Sequence, residues 1–156
     1  MSATVFLLAL IIVLALLSYF MKRRFGVLGL ALAAGALVSG YWAESLTPLL
    51  IAQDLPVSRP QVEIVLTLLP AIILLFGGPT YSKVHMQVIG SLLFTLLAMA
   101  LVLQPLGALV EFDEVGMTVY SFIDDYQGLI IIIGLLVALI DTFSSHSPRS
   151  SRKAEH

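Results

Sequence analysis

The chain has 156 residues, of which 59% are hydrophobic and 12% charged, about half the ~25% charged share of a soluble domain, which argues against a water-soluble fold. Eight Lys and Arg against ten Asp and Glu leave a net charge of −2, which says little about partners until the charges are placed along the chain. The absence of cysteine excludes disulfides, thiolate metal sites and thiol redox chemistry.

A helix crossing a hydrocarbon core ~30 Å thick needs about 20 mostly apolar residues, and five stretches approach that length. The first, residues 3–21, is uncharged and ends at Lys22-Arg23-Arg24. A cleavable signal peptide carries its basic residues before the apolar run, so this reversed order reads as a retained anchor with a cytoplasmic basic flank. The second, residues 26–46, follows so closely that the basic cluster is expected to be the turn of an antiparallel pair, and Pro48 marks its end. The third, residues 62–78, fades at Gly77-Gly78-Pro79 and contains Pro70, whose missing donor predicts a kink without any polar ligand beside it. The fourth, residues 84–110, is unbroken from Val88 to Leu103. The fifth, residues 127–143, has an apolar run only from Leu129 to Ile140 before Asp141, which is short for a span.

Charge placement decides for the fifth. If all five cross, Lys22, Arg23, Arg24, Lys83, Arg149, Arg152 and Lys153 lie on one side and Arg59 on the other, a strong positive-inside bias. The expectation is an all-α integral membrane protein, a bundle of five transmembrane helices with its amino terminus outside. Residues 1–143 form its single domain, and 144–156 a disordered basic cytoplasmic tail. Tyr19, Phe20 and Tyr81 then fall at the inner boundary, with Tyr41 and Trp42 at the outer one, as aromatic belts do.

The loops read structurally. Ser58 and Gln61 have capping-box spacing, and Val57 and Val62 that of a hydrophobic staple. Glu63 falls in the first turn of its helix, within i, i+4 reach of Arg59. Glu111, Asp113 and Glu114 lack the spacing of a calcium loop and read as solvated. Val115, Val119, Phe122, Ile123 and Tyr126 share one helical face, so this piece is expected to lie along the outer membrane surface. Asp124 and Asp125 then cap the start of the fifth helix. As adjacent helical residues they point about 100° apart, which disfavours a catalytic pair. His85 has no second histidine within any span, which excludes haem ligation by two intramembrane histidines.

Two features stand out as candidate sites. In the second helix Ala31, Gly35, Ser39 and Ala43 repeat at every fourth residue, beside a second small-residue row of Gly29, Ala33, Ala36 and Gly40. Such a face lets helix backbones approach closely, either within the bundle or against another subunit. Asp141 is the other. A carboxylate at the carboxyl end of a helix opposes the dipole, so it is the best candidate for a functional ionisable group.

Residues 20–30, Phe20-Met21-Lys22-Arg23-Arg24-Phe25-Gly26-Val27-Leu28-Gly29-Leu30, continue through the small-residue helix to Ala43 and the leucines near Pro48. This order resembles the opening of the colicin V production family of small bacterial inner-membrane proteins, over residues 1–50. The resemblance implies a multi-pass envelope protein without a defined catalytic site, linked to secretion or envelope homeostasis.

Three readings follow. One is a non-enzymatic accessory, scaffold or assembly subunit acting through helix–helix contacts, with the lipid bilayer and other membrane proteins or itself as partners, and neither cofactor nor nucleic acid. The alternative is a component of a channel or transporter, using Asp141, Gln87 or Gln104. An intramembrane enzyme is disfavoured, because the spans lack a nucleophile–base pair, a zinc-ligand motif and a phosphate-cradling loop.

Overall fold

The computed structural model describes residues 3–77, 80 and 84–144. Within them the chain forms α1 (Ala3–Met21), α2 (Phe25–Ile51), α3 (Arg59–Gly77), α4 (Val84–Gly107) and α5 (Glu114–Ser144). The fold is all-α, and α2, α3, α4 and α5 are each long and apolar enough to cross a membrane. α1 contributes a shorter apolar stretch, Leu7–Phe20. Gly78, Pro79, Tyr81, Lys83 and the basic tail from residue 145 onward lie outside the described residues.

α4 is the hub. It packs against α1, α2, α3 and α5, while α2 also lies against α3 and α5. A central helix must be apolar nearly all round, and α4 buries Phe94, Leu97, Ala98, Met99, Val102 and Leu103. α1 turns Leu7, Leu14 and Ser18, one helical face, into the bundle. Among the described residues it does not pack against α2, although the basic turn joins the two. The face of α2 suited to close approach is occupied by α3 and α5, so α1 crosses to α4.

The closest crossing is that of α2 and α3. A Cβ placed on Gly35 would collide with the Thr67 carbonyl oxygen and lie 2.9 Å from that of Leu66. Only glycine allows the backbones to meet there. On the facing side of α3, Thr67, Ala71 and Leu75 are buried in succession, at the four-residue spacing of one stripe.

Several helix boundaries differ from the sequence expectation. α2 continues through Pro48 to Ile51. Thr47 Oγ1 donates to the Ala43 carbonyl and the Ala52 amide to that of Pro48, while Leu46 and Leu50 face Val57 and Val62 across a shared cleft. The packing of half-buried Leu46 and Leu50 there offsets the lost proline donor. α3 starts at Arg59, with the Ser58 amide donating to Gln61 Oε1 at 2.8 Å, so Glu63 sits beyond the first turn. It holds Arg59 at 2.9 Å nonetheless. α4 ends at Gly107, and α5 is one helix of 31 residues rather than a surface helix followed by a short span. No proline interrupts residues 106–147, and Gln127, the polar residue where a break was expected, donates to the Ala100 carbonyl at 2.7 Å. Asp124 and Asp125 therefore lie exposed within α5 and cap nothing. Asp113 starts that helix instead, its Oδ1 accepting from the Gly116 amide at 3.2 Å.

Gly35→Ala should cost about 1–3 kcal/mol through overpacking against Thr67. Gly40, which has open space where its Cβ would be, should tolerate alanine with a gain of up to ~1 kcal/mol from helix propensity. Thermal unfolding of the two variants in one detergent checks this ordering.

Candidate functional site

The chain reverses at Lys22, whose φ of 54° is left-handed, and this turn gathers the ends of three helices. Arg23, just before α2, reaches the end of α3. Its Nε donates to the Leu75 carbonyl and its Nη2 to the Phe76 carbonyl, both at 2.7 Å, and its backbone pairs with Thr80 in an isolated antiparallel bridge. The last carbonyls of a helix have no partner within it and carry the negative end of its dipole. A guanidinium satisfies both needs.

Asp141 mirrors this arrangement. It lies near the end of α5, and its Oδ2 accepts from the Gly26 amide, in the first turn of α2, at 2.8 Å. The first amides of a helix are the complementary orphans. The carboxylate thus counters the positive end of α2's dipole while standing at the negative end of its own helix. A Cβ on Gly26 would meet Thr142 Oγ1 at 2.5 Å and the Ala138 carbonyl oxygen at 2.6 Å, so glycine is what lets α5 come this near. Beside Asp141 an apolar cleft of about 200 Å³ opens between α4 and α5, lined by Phe25, Met86, Ile89, Leu93 and Val137 among others.

The small-residue face of α2 divides. Ala31, Gly35, Ser39 and Ala43 are all buried, and Gly35 shows that α3 is what covers their stripe. In the second row Gly29 is buried against Ala138 of α5 and Leu97 of α4. Ala33 and Ala36 are half-buried, and Gly40 is exposed.

Between the basic turn and the opposite end the bundle holds no charge within any described helix. Counting about 1.5 Å per residue from the contacts of Gly26, Asp141 and Phe76, the next charged residues, Glu44, Asp125 and Glu63, stand roughly 20–27 Å away. Ser18, Ser39, Thr67, Gln87, Ser91 and Thr95 are buried in between, and the two hydroxyls of α4 are satisfied on their own helix. Ser91 donates to the Val88 carbonyl and Thr95 to that of Ser91. Gln104 and Gln127 join α4 to α5 at 3.2 Å near the far boundary. No group of three or more histidine and carboxylate side chains converges as a metal site among the described residues.

The clamp by Arg23 and the cap by Asp113 escaped the sequence. Nothing in the spacing of Arg23 identifies the helix end it reaches, 52 residues away. For Asp113, the Asp-x-x-Gly step to Gly116 was the available signal. Compared with models of known protein families, with curated proteins and with solved structures, the chain matches none.

Asp141→Ala should destabilise the fold by about 1–2 kcal/mol, as loss of a cap does. Asp141→Asn retains an acceptor and should cost less than ~1 kcal/mol. Arg23→Ala should cost about 1–3 kcal/mol by freeing two carbonyls at a helix end. Detergent-solubilised melting curves of the three variants give the order.

Proposed function

We propose that the chain is a non-enzymatic multi-pass protein of the bacterial inner membrane, an accessory, scaffold or assembly subunit that works through helix–helix contacts. The observation that carries this reading is the charge-free and mostly apolar interior between two polar ends, whose buried polar side chains are Ser18, Ser39, Thr67, Gln87, Ser91 and Thr95. Transport sites near the midplane need polar ligands or ionisable groups, and here the buried hydroxyls of Ser91 and Thr95 are spent on their own helix. The resemblance of residues 1–50 to the colicin V production family points to the same class of envelope protein.

In this reading all five helices span, with the amino terminus outside. Eight carboxylates, Glu44, Asp54, Glu63, Glu111, Asp113, Glu114, Asp124 and Asp125, lie outside with Arg59, for a net −7. The seven remaining cations lie inside with Asp141 and Glu155, for a net +5. Large apolar side chains exposed on α1, α3 and α5, such as Leu16, Ile73, Ile132 and Phe143, meet lipid or the spans of a partner. The α2 stripe through Gly35 is engaged by α3, so the intersubunit contact belongs to these outer faces.

The channel or transporter alternative draws on Asp141 beside its cleft. There Asp141→Asn abolishes flux in reconstituted vesicles; in the scaffold reading it leaves biological activity largely intact. Native mass spectrometry after gentle-detergent purification tests the main proposal. A homo-oligomer or a defined complex is expected, and recovery of a lone monomer with full activity would overturn it. Because the chain has no cysteine, orientation is read by single substitutions. Asp54→Cys should react with an impermeant maleimide in intact cells, and Lys22→Cys only after permeabilisation.

A further inference from the structure

The contacts between helices fix the levels of α2, α3 and α5. Asp141 holds the Gly26 amide, and one turn farther along both helices Ala138 meets Gly29. Gly35, nine residues from Gly26, meets Thr67, and Phe76 lies nine residues from Thr67 on α3. Arg23 donates to the Phe76 carbonyl. Gly26, Phe76 and Asp141 therefore share one level, marked by the charges of Arg23 and Asp141.

The opposite polar boundary stands close to it. At about 1.5 Å per residue, Glu63 on α3 lies ~20 Å from this level, and Gln127 and Asp125 on α5 lie ~21 and ~24 Å from it. Gln127 bonds Gln104, so α4 turns polar at the same height. Trp42, exposed on α2 beside Tyr41, also lies ~24 Å away. Glu44, Arg59, Glu63, Asp124 and Asp125 all fall within ~30 Å, and all but Glu63 are exposed. The continuity of α5 is decisive here, because in one helix of 31 residues the two aspartates are side chains of the span.

A hydrocarbon core ~30 Å thick that began at Arg23 and Asp141 would submerge all five of these charged side chains. Shifted toward the basic turn, it would submerge Arg23 and Asp141 in turn. Charge in hydrocarbon is expensive, and aspartate lacks the long stem by which lysine and arginine reach out of it. Lipid covers the exposed side chains between the two boundaries, such as Leu69, Ile73, Ile132 and Leu136, and the spacing of the charges selects which lipid fits. We propose that the bundle is matched to a hydrocarbon layer about 20–24 Å thick and draws a thicker bilayer thin along α3 and α5, where the charges stand closest. Its partner on these two flanks is lipid of short acyl chain. Mismatch is met by local thinning at a modest cost per Å, so stability depends on chain length. The inference rests on the spanning of α3 and α5 proposed above, and not on the scaffold role or on which end faces outward.

The test reconstitutes the full chain in phosphatidylcholine vesicles whose monounsaturated acyl chains run from about 14 to about 22 carbons. The melting temperature should be highest in the shortest chains and lower by at least ~5 °C in the longest. Trp42, the one tryptophan of the chain, lies on the helix between the two flanks and reads the thickness there. Lipid brominated near the headgroup should quench it at least ~2-fold more strongly than lipid brominated at the chain end, across the whole series. Asp124→Leu combined with Asp125→Leu carries the uncharged part of α5 past ~30 Å and should remove about half of the loss in the longest chains. A melting temperature that is flat or rises with chain length, stronger chain-end quenching of Trp42 in the thicker lipids, or an unchanged loss in the double variant would each overturn the proposal. Labelling with an impermeant maleimide in intact cells separates it from the spanning reading. Asp54→Cys and Thr80→Cys should react from opposite sides across α3, as should Glu111→Cys and Ser144→Cys across α5. Reaction from a single side would remove the spanning reading and this proposal together, whereas opposite sides with a flat melting profile would remove this proposal alone.

Discussion

Helix ends in or near a bilayer face a constraint that water otherwise relieves: each leaves several amides or carbonyls unpaired, and hydrocarbon offers them no partner. At the basic turn of this protein two ends are satisfied from neighbouring helices. Arg23 takes the terminal carbonyls of α3 and Asp141 takes an amide of α2. Because each contact joins elements far apart in the chain, satisfying the ends also sets the levels of α2, α3 and α5 relative to one another. Cation at a negative dipole end and anion at a positive one is the favourable sense in both cases.

Above that level the bundle is held mostly by fit. Lipid tails are as apolar as leucine, so burial of leucine against leucine contributes less in a membrane than in water, and close backbone approach contributes more. Gly26, Gly29 and Gly35 provide it along one helix, toward α5 at the end beside the basic turn and toward α3 farther along. α4 then fills the centre with large side chains, notably Phe94, Leu97 and Met99. Six polar side chains are buried inside, Ser18, Ser39, Thr67, Gln87, Ser91 and Thr95, and Ser91 and Thr95 are hydrogen-bonded within their own turns.

What could be read from the sequence follows from which properties are local. Hydropathy and charge order marked every helix, because span length and basic flanks are properties of one segment. The capping bond of Ser58 with Gln61 and the Arg59–Glu63 pair were equally legible, being three and four residues apart. Partner choice was not. The repeat from Ala31 to Ala43 announced close approach without saying that α3 makes it. Asp141 illustrates the limit most clearly: on its own helix the carboxylate stands at the unfavourable end, and only the antiparallel placement of α5 beside α2 turns it into a cap. Pro48 misled in the opposite direction, since the cost of a proline in a helix is local while the packing of Leu46 and Leu50 that offsets it is not.

The small net charge conceals a separation that bears on insertion. In the proposed topology the carboxylates and cations sort to opposite faces, with a nearly charge-free layer between. A membrane potential negative inside favours that arrangement, at about 2.3 kcal/mol per elementary charge per 100 mV, and inverting the bundle would reverse the sign for every sorted charge. The same separation explains why the two ends differ in kind. The inner end carries cations that a basic flank needs for orientation, and there Arg23 is also committed to α3. Its outer counterpart carries carboxylates such as Glu111, Asp124 and Asp125, which stand exposed beside apolar surface. In the proposed topology, charge at the basic end therefore serves insertion and folding together.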